Sequence, residues 1–90
     1  MNDQDPDEAE CIITTKNGHK VTCTASRRRG DDIMLVTSID GSTHSYGDSR
    51  MDEDGSLHGE ARAEARAVAS GVEAGRIRLT EKGWKAVELP

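Results

Sequence analysis

The side chains best suited to covalent or metal chemistry are few: Cys11, Cys23, His19, His44 and His58. A zinc site draws its ligands at short, regular spacings, and the chain contains no C-x2-C, no H-x3-H and no H-E-x-x-H. No metal and no cofactor is therefore expected. A nucleophilic Cys23 needs a base within reach, and His44 is the candidate, one hairpin further along. Nothing around either residue reads as a nucleophile elbow or an oxyanion site, and two cysteines in so small a chain read more simply as small buried hydrophobes. Asp48, Asp52, Glu53 and Asp54 crowd four carboxylates into one stretch, but acid–base work needs carboxylates held in fixed, partly buried places. No phosphate-cradling G-x-x-x-x-G-K-S/T occurs. The reading is of a protein that binds and is not an enzyme.

Charge gives the binding surfaces. Residues 1–10 carry five acids and no base, and residues 11–30 carry five bases and no acid. Residues 31–60 carry eight acids against Arg50 alone, and the whole chain has a net charge of −5. Segregation of this kind bears on partners and solubility more than on fold. The acids Asp48, Asp52, Glu53 and Asp54, extended by Asp31, Asp32, Asp40 and Glu60, suit a basic protein partner, and the surface of a nucleic-acid-processing complex is a natural one. The opposing site is Arg27, Arg28 and Arg29 with Arg76 and Arg78, which suits a nucleic acid. Net acidity and the near absence of aromatic side chains, Tyr46 and Trp84 alone, weigh against that second reading.

Two resemblances bear on this choice. The run RIRLTEKGWKAVEL, residues 76–89, locally resembles the wing and following segment of winged-helix regulators, which implies nucleic-acid binding. A winged helix places a helix-turn-helix just before its wing, where this chain offers one helix. In size and acidic α+β composition the whole chain is similar to phage-borne inhibitors of bacterial defence, anti-CRISPR proteins among them, with no shared motif. That likeness implies occlusion of a basic surface on a bacterial protein.

The elements that must position these side chains begin with Asn17-Gly18, the strongest short hairpin signal, between the β-branched runs of residues 10–26. A two-residue loop sets Cys11 opposite Thr24 and Ile12 opposite Cys23, with the thiols on opposite faces. A three-residue loop sets Cys11 opposite Ala25 and Ile13 opposite Cys23, with both thiols on one face. The second is preferred because it gathers Cys11, Ile13, Val21, Cys23 and Ala25. Residues 27–32 read as a turn at Gly30. Residues 33–46 form a second hairpin around Asp40-Gly41 that pairs Thr37 with His44 and Leu35 with Tyr46, and so puts Ile33, Leu35, Ile39 and Tyr46 on one face. Residues 47–59 read as loop. Ser56 is placed to cap a helix over 58–71 with Ala61, Ala65, Val68 and Val72 inward and Gly71 as its terminator. Residues 76–79 alternate as a strand. Residues 80–89 suit a strand or a helix, and the strand is favoured because Gly83 sits badly in a first helical turn.

The expected fold class is α+β: an antiparallel sheet of two hairpins, one helix packed on it, and a C-terminal strand or hairpin. Residues 1–9 read as a disordered acidic tail and 10–90 as one domain. Only 33% of residues are apolar and none is Phe, so the core is thin and support from a second copy, a homodimer, is expected. The longest apolar run, residues 33–36, is too short for a bilayer, and the acidic start is no signal peptide. Unpaired thiols without an export signal point to the cytoplasm.

Overall fold

The computed structural model describes residues 8–51 and 54–87, and of Thr43 and His44 only the backbone. Strands β1 (Glu8–Thr14), β2 (Lys20–Arg29), β3 (Asp32–Ile39) and β4 (Ser42–Arg50) form an antiparallel meander in the order β1-β2-β3-β4. Helix α1 (Leu57–Glu73) packs on one face, and β5 (Ile77–Thr80) with β6 (Gly83–Ala86) makes a second, two-stranded antiparallel sheet. The class is the expected α+β. β1 takes in Glu8 and Ala9, two residues that composition assigns to the tail.

Neither register foreseen for the first hairpin is the one formed, since Cys11 lies directly opposite Cys23 and Ile13 opposite Val21. The ladder closes one residue earlier than the Asn17-Gly18 signal suggests. Thr15 N–H donates to the carbonyl of His19 at 2.8 Å, and His19 N–H donates to Thr15 Oγ1 at 2.9 Å. Lys16, Asn17 and Gly18 are left as the loop, with Gly18 at φ 89°, a conformation open to glycine at little cost. Thr15 is buried at 4% exposure, and these bonds satisfy its hydroxyl. The preference for both thiols on one face holds; their partners differ.

The second hairpin turns at Asp40-Gly41 as expected, with Ile39 opposite Ser42, and then departs. A bulge in β4 leaves His44 as the extra residue, so that Ser45 meets Thr37, Tyr46 meets Val36 and Gly47 meets Leu35. One extra residue sends every later side chain to the other face. Tyr46 accordingly stands outside, 69% exposed, instead of joining Ile33 and Ile39 in the core. The pairing also continues past Tyr46: residues 47–50, expected as loop, are strand, because β3 extends to Asp32 and offers them partners from Leu35 to Asp32. The expected turn over 27–32 shrinks to Gly30 and Asp31.

Ser56 caps α1, its hydroxyl accepting the N–H of Gly59 at 3.0 Å. Leu57, Ala61, Ala65, Val68, Ala69 and Val72 face the sheet and meet Val21, Cys23, Ala25, Ile33 and Ile39. Gly71 does not end the helix. The chain leaves α1 through Gly75, at φ 77°, with the N–H groups of Gly75 and Arg76 returning to the carbonyls of Val72 and Gly71 at 3.2 and 2.8 Å. Gly71 has a packing role instead: a Cβ there would stand 2.9 Å from Ile77 Cδ1. The stretch expected as strand or helix forms β6 at Gly83–Ala86, the strand favoured, with residues 88–89 outside the described residues; Trp84 pairs with Leu79 and packs partly buried against the core. Among the described residues the large hydrophobics left exposed are Ile12, Tyr46 and Leu79. Among the described residues no helix is long and apolar enough to cross a membrane.

Candidate protein-binding surface

Because α1 covers one face of the meander, strand alternation leaves the other face open among the described residues. Its rows are fixed by register. Glu10, Thr24, Val36 and Tyr46 lie side by side across the four strands, and Glu8, Ser26, Met34 and Asp48 make the next row. Ile12, 51% exposed, flanks them on β1. The face thus presents a phenol and several apolar groups among Ser and Thr hydroxyls, with carboxylates at Glu8, Glu10 and Asp48. An aromatic anchor surrounded by polar groups is the usual make-up of a protein interface. Sequence reasoning missed Tyr46 as a surface residue, and only the register, through the β4 bulge, places it there; Ile12 stands off the Cys11 and Ile13 face, as the preferred hairpin register left it.

Of the four acids singled out by sequence, Asp48 stands on β4 within this face and Asp54 is exposed beyond it; Asp52 and Glu53 lie outside the described residues. Asp48 is joined to Arg28, whose Nη1 donates to Oδ1 at 3.0 Å. The acidic site and the arginine site foreseen as rivals therefore share an ion pair. Arg27 Nη1 donates to the carbonyl of Gly30 at 3.1 Å, and Arg29 pairs in register with Asp32. A shallow groove beside them is lined by Arg28, Arg29, Asp32, Ile33, Asp48 and Ser49, a mixed-charge surface. Arg76 and Arg78 are exposed on and just before β5, in the other sheet. A helix-turn-helix ahead of this hairpin is absent among the described residues, so the winged-helix likeness does not extend to the fold.

The remaining chemistry-bearing groups have structural surroundings. Cys23 is fully buried under α1, and burial pushes its thiol pKa up against a lowering hydrogen bond with Thr37, with smaller upward contributions from Glu64 and Cys11. A thiol held neutral is a poor nucleophile. The side chain of its proposed base, His44, lies outside the description. Cys11 is half-buried and both thiols are free. His19 Nδ1 and Asp40 Oδ2 are 2.6 Å apart, and Asp40 Oδ1 accepts the N–H of Lys20 at 2.9 Å. That backbone bond and the His19 contact hold the Asp40 pKa below its ordinary value. Asp40 thus ties two hairpin turns together. No cluster of three or more His, Cys, Asp or Glu side chains suited to a metal ion occurs among the described residues. No family model matches the chain, and neither a curated protein nor a solved structure shows significant similarity to it.

Proposed function

We propose that this chain is a non-enzymatic protein-binding module that lays the open face of its meander on a basic partner. The supporting observation is Tyr46, 69% exposed on β4, the last strand of the uncovered four-stranded face, two residues from the carboxylate of Asp48. Burying the phenol supplies contact energy, while Asp48, Glu8 and Glu10, with Asp52, Glu53 and Asp54 on the segment after β4, steer a cationic surface toward it. A nucleic-acid-processing complex of a bacterium is the partner class with such a surface, and occluding it makes the module an inhibitor that works in the cytoplasm.

The test is capture of partners by the tagged protein from nuclease-treated bacterial lysate at low and moderate salt. The expected result is one stoichiometric protein, retained at low salt, weakened at higher salt, and lost on charge reversal of Asp48, Asp52, Glu53 and Asp54. The overturning result is retention of nucleic acid from untreated lysate with a steep salt dependence and no protein partner. That outcome would assign the activity to Arg27, Arg28, Arg29, Arg76 and Arg78.

A further inference from the structure

The outer edge of β1 has no partner strand among the described residues, whereas the outer side of β4 lies beside β6. The pairing pattern shows which backbone groups the β1 edge offers. Thr15 bonds His19 across the first hairpin, and Asp40 N–H donates to the Lys20 carbonyl across β2 and β3. Antiparallel ladders alternate their bonded pairs, so odd-numbered residues of β1 turn their N–H and C=O groups toward β2. Glu8, Glu10, Ile12 and Thr14 turn theirs outward. Such an edge is a template for another strand. This one carries no Lys and no Pro, and it exposes an isoleucine.

Helix α1 runs alongside this edge and forms a groove with it, lined by Cys11, Ile13, Arg62, Arg66, Ser70 and Glu73 among others. α1 packs across both β1 and β2, so its axis lies roughly half a strand spacing inward from β1. Strands are about 4.8 Å apart. If a second β1 were added by a two-fold axis, the two helices would lie about 10 Å apart, the distance at which helices pack directly. The groove is then the space the second helix fills. Its charges are self-complementary: two helices antiparallel about a two-fold bring Glu73, at the C-terminal end of one, toward the Arg62 and Arg66 turns of the other.

We infer that the occupant is a second copy of this chain, paired antiparallel through β1 with the two-fold axis at Ile12. Ile12 then packs on its own counterpart, each Glu10 stands opposite Thr14 of the other copy, and like charges are kept apart. The product is one eight-stranded sheet with both helices on one side and two open faces, each with its Tyr46, in one surface. The inference does not depend on the proposed function, but it would give that function two linked binding faces, with the gain that linkage brings.

The test is sedimentation of the full chain across a wide concentration range, together with amide hydrogen exchange. The chain mass is 9.7 kDa; twice that mass is expected, with slow exchange at the amides of Glu10, Ile12 and Thr14. Ile12→Lys changes an exposed position and should give a folded monomer in which those three amides exchange fast. Arg62→Glu should weaken the dimer, and Arg62→Glu with Glu73→Arg should restore it, which a merely structural role for either residue would not do. A wild-type monomer overturns the inference. If its three amides are nevertheless slow, another segment of the same chain covers the edge. A dimer unmoved by Ile12→Lys also overturns it and places the contact elsewhere.

Discussion

Arg28 reaches over β3 to hold Asp48 at 3.0 Å, with side chains 55% and 82% exposed. An ion pair so open to water contributes about 0.2–1 kcal/mol. The pair therefore sets the surface more than it supports the fold: it spends one arginine of the basic tip and fixes one carboxylate beside Tyr46. Arg28→Ala and Asp48→Lys should each shift unfolding free energy by less than about 1 kcal/mol in urea titrations. A larger loss from Asp48→Lys would mean that this carboxylate is structural and unfit as a contact residue.

Gly71 and Ile77 should be energetically coupled. Alanine is the better helix residue by about 1 kcal/mol, but its Cβ would meet Ile77 Cδ1 at 2.9 Å and Cγ1 at 3.2 Å, and overpacking costs about 1–3 kcal/mol. Gly71→Ala alone should be neutral or destabilising. In an Ile77→Val background, where the Cδ1 methyl is gone, the same change should stabilise. A double-mutant cycle measures this, and a coupling indistinguishable from zero would contradict the close approach of α1 to β5.

Much of the fold was legible in the sequence because local chemistry dictated it. Asp40-Gly41 made its turn, Ser56 capped its helix, and Gly83 discouraged a last helix. What was not legible was register, which depends on single residues acting at a distance. The Thr15 hydroxyl, by taking the His19 N–H, moved the first loop back by one and set Cys11 against Cys23. The bulge at His44 reversed Tyr46 from core to surface. The first event changed partners and left the faces alone; the aromatic member of the candidate surface follows from the second, so composition could supply its acids but not its tyrosine. Gly71 misled for a related reason: it looks like a terminator, and only its neighbour Ile77, from the next element, explains it.

Asp40 gives the fold an acid-sensitive point. Its folded pKa is lowered, first by the Lys20 N–H and then by His19, from an ordinary value near 3.8. A depressed carboxylate stabilises the fold above its unfolded pKa, and that contribution is lost as pH falls through the folded value. Asp40→Asn keeps a side chain that tolerates the φ of 54° and removes the charge. The stability difference between wild type and Asp40→Asn should be constant near neutrality and shrink below about pH 4. A difference that persists unchanged in acid would mean that the carboxylate charge is not what joins the two turns.

The two thiols should differ in reactivity despite facing one another. Cys11 is half-buried in the groove beside α1, and Cys23 has no exposed surface. Under native conditions a thiol reagent should modify Cys11 first, faster still in Ile12→Lys, and reach Cys23 only as the protein unfolds. The raised Cys23 pKa adds a base-sensitive contribution: it is complete below the unfolded thiol value near 9 and is lost as pH climbs through the higher folded value. Rapid native labelling of Cys23 would contradict its burial and revive a nucleophilic role.

The open face around Tyr46 is the proposed binding surface. It is tested most directly by measuring partner affinity and thermal midpoint together for Tyr46→Ala, with the partner captured by the wild-type chain. Binding should fall by about thirtyfold, the size of a typical interface anchor of about 2 kcal/mol. The midpoint should barely move, because this side chain is 69% exposed. Affinity unchanged by Tyr46→Ala would place the partner on another face.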